Sequence, residues 1–259
     1  MSVTVNQMPL PSVDGCLPLP GEALALKARL AFWLRNDASR LLWPSRCLLC
    51  AEPGLDGMDL CHACSAGLPR LGHACRRCAL PLPAPGTCGA CLRTLSPIGR
   101  VHAAFVYAPP LDRLLPRFKF HEDLAAGRVL AQLMADAFAS LERPEVLVPI
   151  PLHVRRLRSR GYDQALELAR PLARTLGIPL HARLLLRRRA TAPQSERDAA
   201  ARKRNVRGAF QVRPHAPVPR HAVLVDDVMT TGATLQAAAS ALLLAGVERV
   251  DAWVCARAP

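Results

Sequence analysis

Two adjacent carboxylates, Asp226 and Asp227, stand between a short apolar run and a turn rich in threonine. Two carboxylates repel a phosphate, but they can accept charge-assisted hydrogen bonds from a vicinal diol. The turn that follows offers backbone N–H groups, hydroxyl groups and a glycine that permits the close approach of an anion. Its residues are Thr230, Thr231, Gly232, Ala233 and Thr234. A diol site beside a phosphate site is the pattern expected for a ribose 5-phosphate.

A cluster of arginines follows another apolar run, at 146–150. Its members, all shortly before Gly161, are Arg155, Arg156, Arg158 and Arg160. Arginine makes bidentate contacts with phosphate oxygens, and it can stabilise the charge that develops on a leaving pyrophosphate. We therefore expect this cluster to serve a second phosphate site. The alternative is a solvated basic loop.

Four CxxC pairs follow one another in the first part of the chain. They are Cys47 and Cys50, Cys61 and Cys64, Cys75 and Cys78, and Cys88 and Cys91. Two thiolates on one tight turn can fill two corners of a Zn²⁺ tetrahedron, so eight cysteines predict two closed structural Cys₄ sites. An iron–sulfur cluster is the alternative. The spacing leaves the pairing open, and we prefer sequential ribbons to a cross-braced arrangement.

The apolar patterns around these residues predict strands that alternate with helices, which is typical of a parallel sheet flanked by helices. The predicted strands are 101–108, 146–150, 178–188, 222–225 and 250–255. The predicted helices are 22–42, 111–120 (a short helix or a turn), 123–141, 163–176 and 233–245. Ligands of such sheets bind at the carboxyl ends of the strands. The last helix begins at the threonine turn, so its unpaired N–H groups and dipole should face the same anion.

Length and composition favour a folded α/β protein with a smaller module. The chain has 259 residues, 51% of them hydrophobic, which excludes general disorder. No apolar run reaches the roughly 20 residues that span a bilayer, and the first residues lack a signal-peptide pattern. We therefore expect a cytoplasmic protein without stable membrane insertion. Its predicted parts are a tail with an amphipathic helix at 1–42, a double zinc ribbon at 43–96 and an α/β domain at 97–259.

The formal net charge of +14 suggests a polyanionic partner such as nucleic acid. Only three of the basic residues are lysines, so the charge comes almost entirely from arginine in a chain rich in alanine and leucine. A compositional bias of the genome is therefore an equally good explanation. The aromatic fraction of 4% argues against an extended platform for stacking single-stranded bases.

The stretch AVLVDDVMTTGAT at 222–234 resembles the 5-phosphoribosyl 1-pyrophosphate (PRPP) motif of type I phosphoribosyltransferases. The resemblance implies that Asp226 and Asp227 form the catalytic pair and hold the ribose hydroxyls, while the threonine turn holds the 5-phosphate. It also implies Mg²⁺ bound with PRPP. The residues that would complete this PRPP site are Lys119, Arg155, Arg156 and Arg160.

The polar run after 188 resembles a flexible lid, which would exclude water from an activated phosphoribosyl group. Its polar residues are Thr191, Gln194, Arg197, Arg202, Arg204 and Asn205. A surface loop without a catalytic role is the alternative. No segment of the chain reads as a pocket for a nucleobase.

The tandem CxxC pairs, RFKF with Lys119, PIPLHVRRLRSRGYDQA, TAPQSERDAAARKRNVRGAF and VLVDDVMTTGAT occur in this order. Together they resemble the ComF family of competence-associated proteins over nearly all of 42–256. Members join a double zinc ribbon to a domain of the type I phosphoribosyltransferase fold, and they are linked with DNA uptake for transformation or nutrition. The resemblance does not imply an acceptor substrate or an oligomeric state.

Two hypotheses follow from these patterns. The first is a phosphoribosyltransferase, which would join a nucleophile to C1 of PRPP with loss of pyrophosphate. The second is a non-catalytic adaptor that senses PRPP or a nucleotide and contacts single-stranded DNA, a DNA-uptake protein or another partner. The acidic pair and the threonine turn favour ligand binding under both hypotheses, and they leave turnover open.

Overall fold

The computed structural model describes residues 44–55, 57–188 and 208–259. The described residues from 45 onward belong to one compact unit. The helix predicted at 22–42 and the lid residues from Thr191 to Asn205 lie outside the described residues, so both stay predictions.

Four parallel strands form the central sheet, which confirms the predicted α/β architecture. The strands are β1 (Val101–Val106), β2 (Val146–Pro149), β5 (His221–Met229) and β6 (Arg249–Arg257), in the spatial order β1-β6-β5-β2. A separate antiparallel pair consists of β3 (Leu185–Arg187) and β4 (Phe210–Val212). The central strands are apolar and buried on both faces, as expected when parallel strands are covered on each side.

Helices cover the two faces of the sheet unequally. The helices of the described residues are α1 (His62–Ala66), α2 (Gly89–Leu92), α3 (Leu111–Phe120), α4 (Leu124–Phe138), α5 (Val154–Arg160), α6 (Gln164–Leu176) and α7 (Ala233–Leu244). One core contains α3, α4 and α6, and it meets β5 at Val223 and Val225. The other core contains α7 and the β3–β4 pair, and it meets β5 at Ala222 and Leu224. The sheet therefore separates two apolar layers.

Two predicted strands differ from the observed ones. The strand predicted at 222–225 continues to Met229, because β5 keeps pairing with β6 as far as Met229 opposite Arg257. The strand predicted at 178–188 is wrong over its first part, where only Leu180 makes an isolated bridge to β2. Pro179 supplies a carbonyl to Leu147 but has no N–H for a ladder, and a turn follows before β3.

The cysteine-rich segment adds to the free edge of β1. Leu71 N–H donates to the carbonyl of Ala104 at 3.1 Å, and Val106 N–H donates to the carbonyl of Pro69 at 2.8 Å. A third bond joins Val101 N–H to the carbonyl of Arg76 at 3.0 Å. These bonds satisfy backbone groups that an edge strand would leave unpaired. The boundary predicted between 96 and 97 stays a prediction.

No helix in the described ranges is long and apolar enough to cross a membrane.

Gly127 lets α4 pack closely against α3. A Cβ at this position would lie 2.5 Å from Cε2 of Phe118, and Phe118 is fully buried. We expect Gly127→Ala to lower the free energy of unfolding by about 1–3 kcal/mol through overpacking, which outweighs the gain in helix propensity of about 1 kcal/mol. Urea denaturation measures the change.

Gly89→Ala in α2 is the matched control, because its Cβ would meet only the flexible Nη1 of Arg93 at 3.5 Å. This variant should be as stable as the wild type or slightly more stable. A stabilising effect of Gly127→Ala would contradict the close packing of α3 on α4.

Candidate functional site

The carboxyl ends of β2 and β5 lie side by side, because these strands are parallel neighbours. The chain leaving β2 remains bonded to β5 at this end of the sheet, since Ile150 N–H donates to the carbonyl of Val225 at 2.9 Å. It then enters α5, which carries the arginine cluster. The threonine turn after β5 and the arginine cluster after β2 are both predicted to bind phosphates. They therefore lie at the same carboxyl end of the sheet.

The carboxylates of Asp226 and Asp227 are not equivalent. Successive residues of a strand point to opposite faces, and both aspartates lie within β5. Asp227 Oδ2 lies 3.0 Å from Nζ of Lys119 at the end of α3. Burial lowers the pKa of Arg187 of β3, and the negative charge of Asp226 partly opposes this effect. The acidic pair thus reaches both layers of the protein rather than one.

Each carboxylate also accepts a hydrogen bond from the backbone of the next residue. Asp227 N–H donates to Asp226 Oδ1 at 2.9 Å, and Val228 N–H donates to Asp227 Oδ1 at 2.5 Å. These bonds fix the orientation of both side chains. Because Asp227 Oδ2 is paired with Lys119, a ligand would find Oδ2 of Asp226 more available.

Burial raises the pKa of Asp226 to about 7, and the negative charge of Asp227 adds to this effect. Lys119 and the hydrogen bond from Asp227 N–H act in the opposite direction. The side chain keeps some exposed surface, although the surrounding protein excludes most water from it. Asp226 therefore changes its charge near neutral pH, which is typical of functional carboxyl groups.

The threonine turn needs glycine at position 232. Gly232 has φ = +74°, and a Cβ there would lie 2.4 Å from Cε of Met229. It also forms the N-terminal cap of α7, whose first helical bond runs from Gln236 N–H to the carbonyl of Gly232 at 2.9 Å. Thr230 and Thr231 are exposed beside it. Ala233 N–H donates to Oγ1 of Thr231 at 3.5 Å, and the N–H groups that follow it in the first turn of α7 suit an anion.

The arginine cluster lies on helix α5 rather than in a loop, and its role at a phosphate site stays a prediction. Gly161 ends α5 in the left-handed conformation, with φ = +79°. Arg156 is partly buried, and its charge acts on Arg187. Arg160 stacks over the ring of Phe120 at 5.5 Å, whereas Arg155 is exposed. Of the cluster, Arg156 thus shares an electrostatic neighbour, Arg187, with Asp226.

Three residues of this region were not predicted as site residues. Burial lowers the pKa of Arg187, and the positive charge of Arg156 adds to this effect. Burial raises the pKa of Asp163, which caps α6 and accepts a bond from Leu152 N–H at 2.8 Å. Burial also raises the pKa of Tyr162. The sequence offered a signal for Asp163, which precedes an apolar helix, but none for Arg187.

The eight cysteines form two groups of four. In each group, the four Sγ atoms lie within 4.8 Å of one another. The first group contains Cys47, Cys50, Cys61 and Cys64, and the second contains Cys75, Cys78, Cys88 and Cys91. The preferred sequential pairing is confirmed, and the cross-braced alternative is wrong.

Both groups fit a zinc ion. Sγ of Cys50 lies 3.6 Å from Sγ of Cys61, and Sγ of Cys78 lies 3.7 Å from Sγ of Cys88. A tetrahedral ion with Zn–S bonds of about 2.3 Å requires separations of about 3.8 Å. Each group supplies four thiol ligands, so a zinc ion would have no open position and would serve a structural role.

Backbone N–H groups favour the thiolate form of one cysteine in each group. Burial by itself would raise the pKa of Cys47, but several N–H donors, the first from Cys61, lower it to about 6. The pKa of Cys75 also falls to about 6, with Cys88 N–H donating to its Sγ at 3.3 Å. Thiolates stabilised in this way are suited to hold Zn²⁺.

A family model described as a double zinc ribbon domain matches residues 38–92. This match agrees with the two four-cysteine groups, and together they support structural zinc.

Relatives match the chain over most of its length. It is 37% identical over 223 residues to the DNA utilization protein YhgH of Salmonella typhimurium, which covers 83% of this chain and 97% of that protein. It is 35% identical over 227 residues to YhgH of Escherichia coli, with the same coverage of 83% and 97%. It is 33% identical over 208 residues to competence protein F of Haemophilus influenzae, covering 77% of this chain and 90% of that protein. The chain therefore belongs to the ComF family, together with YhgH and competence protein F.

Proposed function

We propose that this protein binds PRPP together with Mg²⁺ at the carboxyl end of β5 and works in the uptake or use of DNA. The role in DNA handling is supported by the names of its relatives, DNA utilization protein and competence protein. The PRPP site is supported by one observation above others. An acidic pair with unequal carboxylates lies beside a glycine-containing turn that opens a helix.

The ribose would lie between these two features. Its 5-phosphate would accept hydrogen bonds from the turn at 230–234 and from the first N–H groups of α7. Its hydroxyls would donate to the carboxylates, chiefly to Oδ2 of Asp226. Asp227 is already paired with Lys119 at 3.0 Å. The result is a site that separates the negative phosphate from the negative carboxylates.

The pyrophosphate would lie toward α5 and β3, where arginines gather. Arg156 and Arg187 are close enough for their charges to act on each other, which an anion between them would favour. Mg²⁺ would enter with PRPP, because pyrophosphate oxygens are the hard ligands that it prefers. Arg155 and Arg160 are the further predicted contacts from the same helix.

A transferase would use this arrangement for substitution at C1. The bond from C1 to the pyrophosphate oxygen breaks, the electron pair leaves with pyrophosphate, and an acceptor nucleophile bonds to C1 and releases its proton. Charge accumulates on the leaving pyrophosphate, so Arg156 and Arg187 would stabilise the transition state electrostatically. The acidic pair and the turn would hold the ribose in position, which lowers the barrier to substitution further.

A second candidate function is a non-catalytic adaptor that binds single-stranded DNA. It is favoured by the contact between Phe120 and Arg160, which we call the Phe120 surface. The ring of Phe120 is 68% exposed and carries Arg160 over one face. Bases of single strands stack on aromatic rings and on arginine, while other arginines contact the phosphates. A DNA-uptake protein is the other partner proposed for this surface.

We also infer a cytoplasmic location, because thiolate zinc sites persist in a reducing compartment.

Replacement of both aspartates tests the ribose site. The Asp226→Asn, Asp227→Asn double variant should bind PRPP at least tenfold more weakly, since each charge-assisted hydrogen bond contributes about 1.5–3 kcal/mol. Calorimetric titration with and without Mg²⁺ measures the affinity, and circular dichroism checks the fold. Asp136→Asn, an exposed aspartate of α4, is the matched control. Unchanged PRPP binding by the double variant would show that the ribose site lies elsewhere.

The raised pKa of Asp226 predicts a pH-dependent affinity for ribose 5-phosphate. With a pKa of about 7, the carboxyl group is mostly ionised at pH 8 and mostly protonated at pH 6. The ionised form accepts the stronger hydrogen bonds, so the affinity should fall roughly tenfold as the pH falls from 8 to 6.

The Asp226→Asn variant separates this effect from titration of the ligand. The phosphate has its own pKa near 6, which contributes only about a twofold change over the same range. The variant should show this small change alone when titrated calorimetrically at each pH. A wild-type affinity that does not vary with pH would rule out a role for Asp226 ionisation.

The Phe120 surface predicts salt-dependent binding of single-stranded DNA. Fluorescence anisotropy with a labelled oligonucleotide should show an affinity that drops steeply between low and physiological salt. Phe120→Ala should weaken binding about tenfold, as expected when one base loses its stacking partner.

Leu244→Ala is the matched control, because Leu244 is 90% exposed at the end of α7. It should leave DNA affinity unchanged. A flat response to salt would remove the polyanion hypothesis, and an unaffected Phe120→Ala variant would remove the stacking site.

A further inference from the structure

Arg257 connects the second four-cysteine group to the threonine turn. Its side chain is largely buried at the end of β6. Nε donates to the backbone carbonyl of Cys78 at 2.8 Å, and Nη1 donates to the backbone carbonyl of Met229 at 3.2 Å. Cys78 is a predicted zinc ligand, and Met229 directly precedes Thr230. One guanidinium group is therefore bonded to the backbone of a predicted zinc ligand and to the backbone of the residue before the turn.

Met229 determines where the threonine turn begins. Its carbonyl accepts a second hydrogen bond, from Ala258 N–H at 2.9 Å, so the end of β5 is bonded to the residue that follows β6. Its buried side chain fills the space beside Gly232, where a Cβ would lie 2.4 Å from Cε. A displacement of Met229 would therefore move Gly232 and the first N–H groups of α7.

The position of the Cys78 carbonyl depends in turn on the conformation of the segment that carries the second four-cysteine group. Cys75 and Cys78 lie on one tight turn, closed by a bond from Ala79 N–H to the carbonyl of Cys75 at 2.8 Å. Ala79 is buried and has φ = +53°, a conformation that alanine adopts only when its surroundings hold it. Binding of both thiolates to one ion would supply that constraint.

Charge supports the same connection. Four thiolates and one Zn²⁺ carry a net charge of −2, because four negative charges meet two positive ones. The two recorded bonds of the Arg257 side chain go to neutral carbonyls. A buried cation is stabilised by negative charge nearby. The second four-cysteine group with its bound zinc ion would provide this negative charge on one side of Arg257. A phosphate in the threonine turn would provide it on the other side.

We propose that Arg257 couples zinc binding in the second ribbon to ribose 5-phosphate binding at the turn, so that each ligand raises the affinity of the other. This inference rests on the proposed function of the turn. Arg257 acts as a positioning residue, because it holds the turn through Met229. Coupling between two binding sites is reciprocal, so it can be measured from either ligand.

The first experiment uses the wild-type, zinc-loaded protein without Mg²⁺. A chromophoric chelator of known affinity competes for zinc with and without saturating ribose 5-phosphate. Alkylation followed by peptide mass spectrometry identifies which cysteines have lost their metal. We expect ribose 5-phosphate to raise the zinc affinity of the second group about tenfold, within the usual range for coupled sites. The first group, at 47–64, should not respond and serves as the internal control.

The second experiment compares variants. Arg257→Met should weaken ribose 5-phosphate binding about tenfold in calorimetry, keep two zinc ions per chain, and abolish the effect of the ligand on zinc affinity. Arg77→Met is the matched control, because Arg77 donates to the carbonyl of Cys91 at 2.9 Å within the same ribbon. This control should retain the coupling. Arg257→Lys, which keeps the charge but loses the two-sided contact, replaces the methionine variant if the latter does not fold.

The outcomes separate the two proposals. Wild-type protein that binds ribose 5-phosphate without any change in zinc affinity would overturn the coupling and leave the proposed function intact. Arg257→Met protein with wild-type ligand affinity would also overturn it. Wild-type protein that fails to bind either ribose 5-phosphate or PRPP would remove the proposed function, and the coupling with it.

Discussion

The contact between the cysteine-rich segment and β1 is the interaction on which the rest of the structure depends. Backbone bonds from residues 69–76 close the edge of a sheet whose other edge is formed by the short strand β2. Side chains from this segment also enter both cores, with Leu60 in the layer of α3 and α4 and Ala79 in the layer of α7. A four-stranded parallel sheet with an open edge would expose both backbone groups and apolar surface. The metal-binding segment thus contributes both to the edge of the sheet and to the two cores.

The two ends of the sheet differ in how their charges are satisfied. At the amino end, Asp251 pairs with His221 at 3.0 Å and with Arg249 at 2.7 Å, and it also accepts a bond from Arg100 N–H at 2.7 Å. At the carboxyl end, burial and like charge raise the pKa of Asp226, and burial with like charge lowers the pKa of Arg187. Charges that are mutually satisfied indicate a structural network, whereas charges held in unfavourable surroundings are typical of ligand sites.

Local patterns predicted most of the secondary structure and the two metal groups. The CxxC spacing indicated four-cysteine groups because each pair lies on one turn, and the apolar periodicity indicated the helices and most strands. The contacts that distinguish the site are long-range and were not predictable. Arg257 meets Cys78 from 179 residues away, and β5 extends past Val225 because it pairs with β6. The strand predicted from 178 was too long because Pro179 interrupts any ladder, which the apolar pattern alone does not reveal.

The extension of β5 changes how the acidic pair should be understood. If both aspartates followed the strand in a loop, they could turn toward one diol as equal partners. Within the strand, Asp227 is paired with Lys119, while the pKa of Asp226 is raised to about 7. A phosphate near Asp226 would raise its pKa further, whereas hydroxyl donors would lower it by stabilising the carboxylate. Under the proposed function, the ligand would therefore present hydroxyl groups to Asp226 and keep its phosphates at the turn and the arginines. A phosphorylated ribose has this arrangement of groups, and a bare phosphate or a phosphodiester backbone lacking free hydroxyls does not.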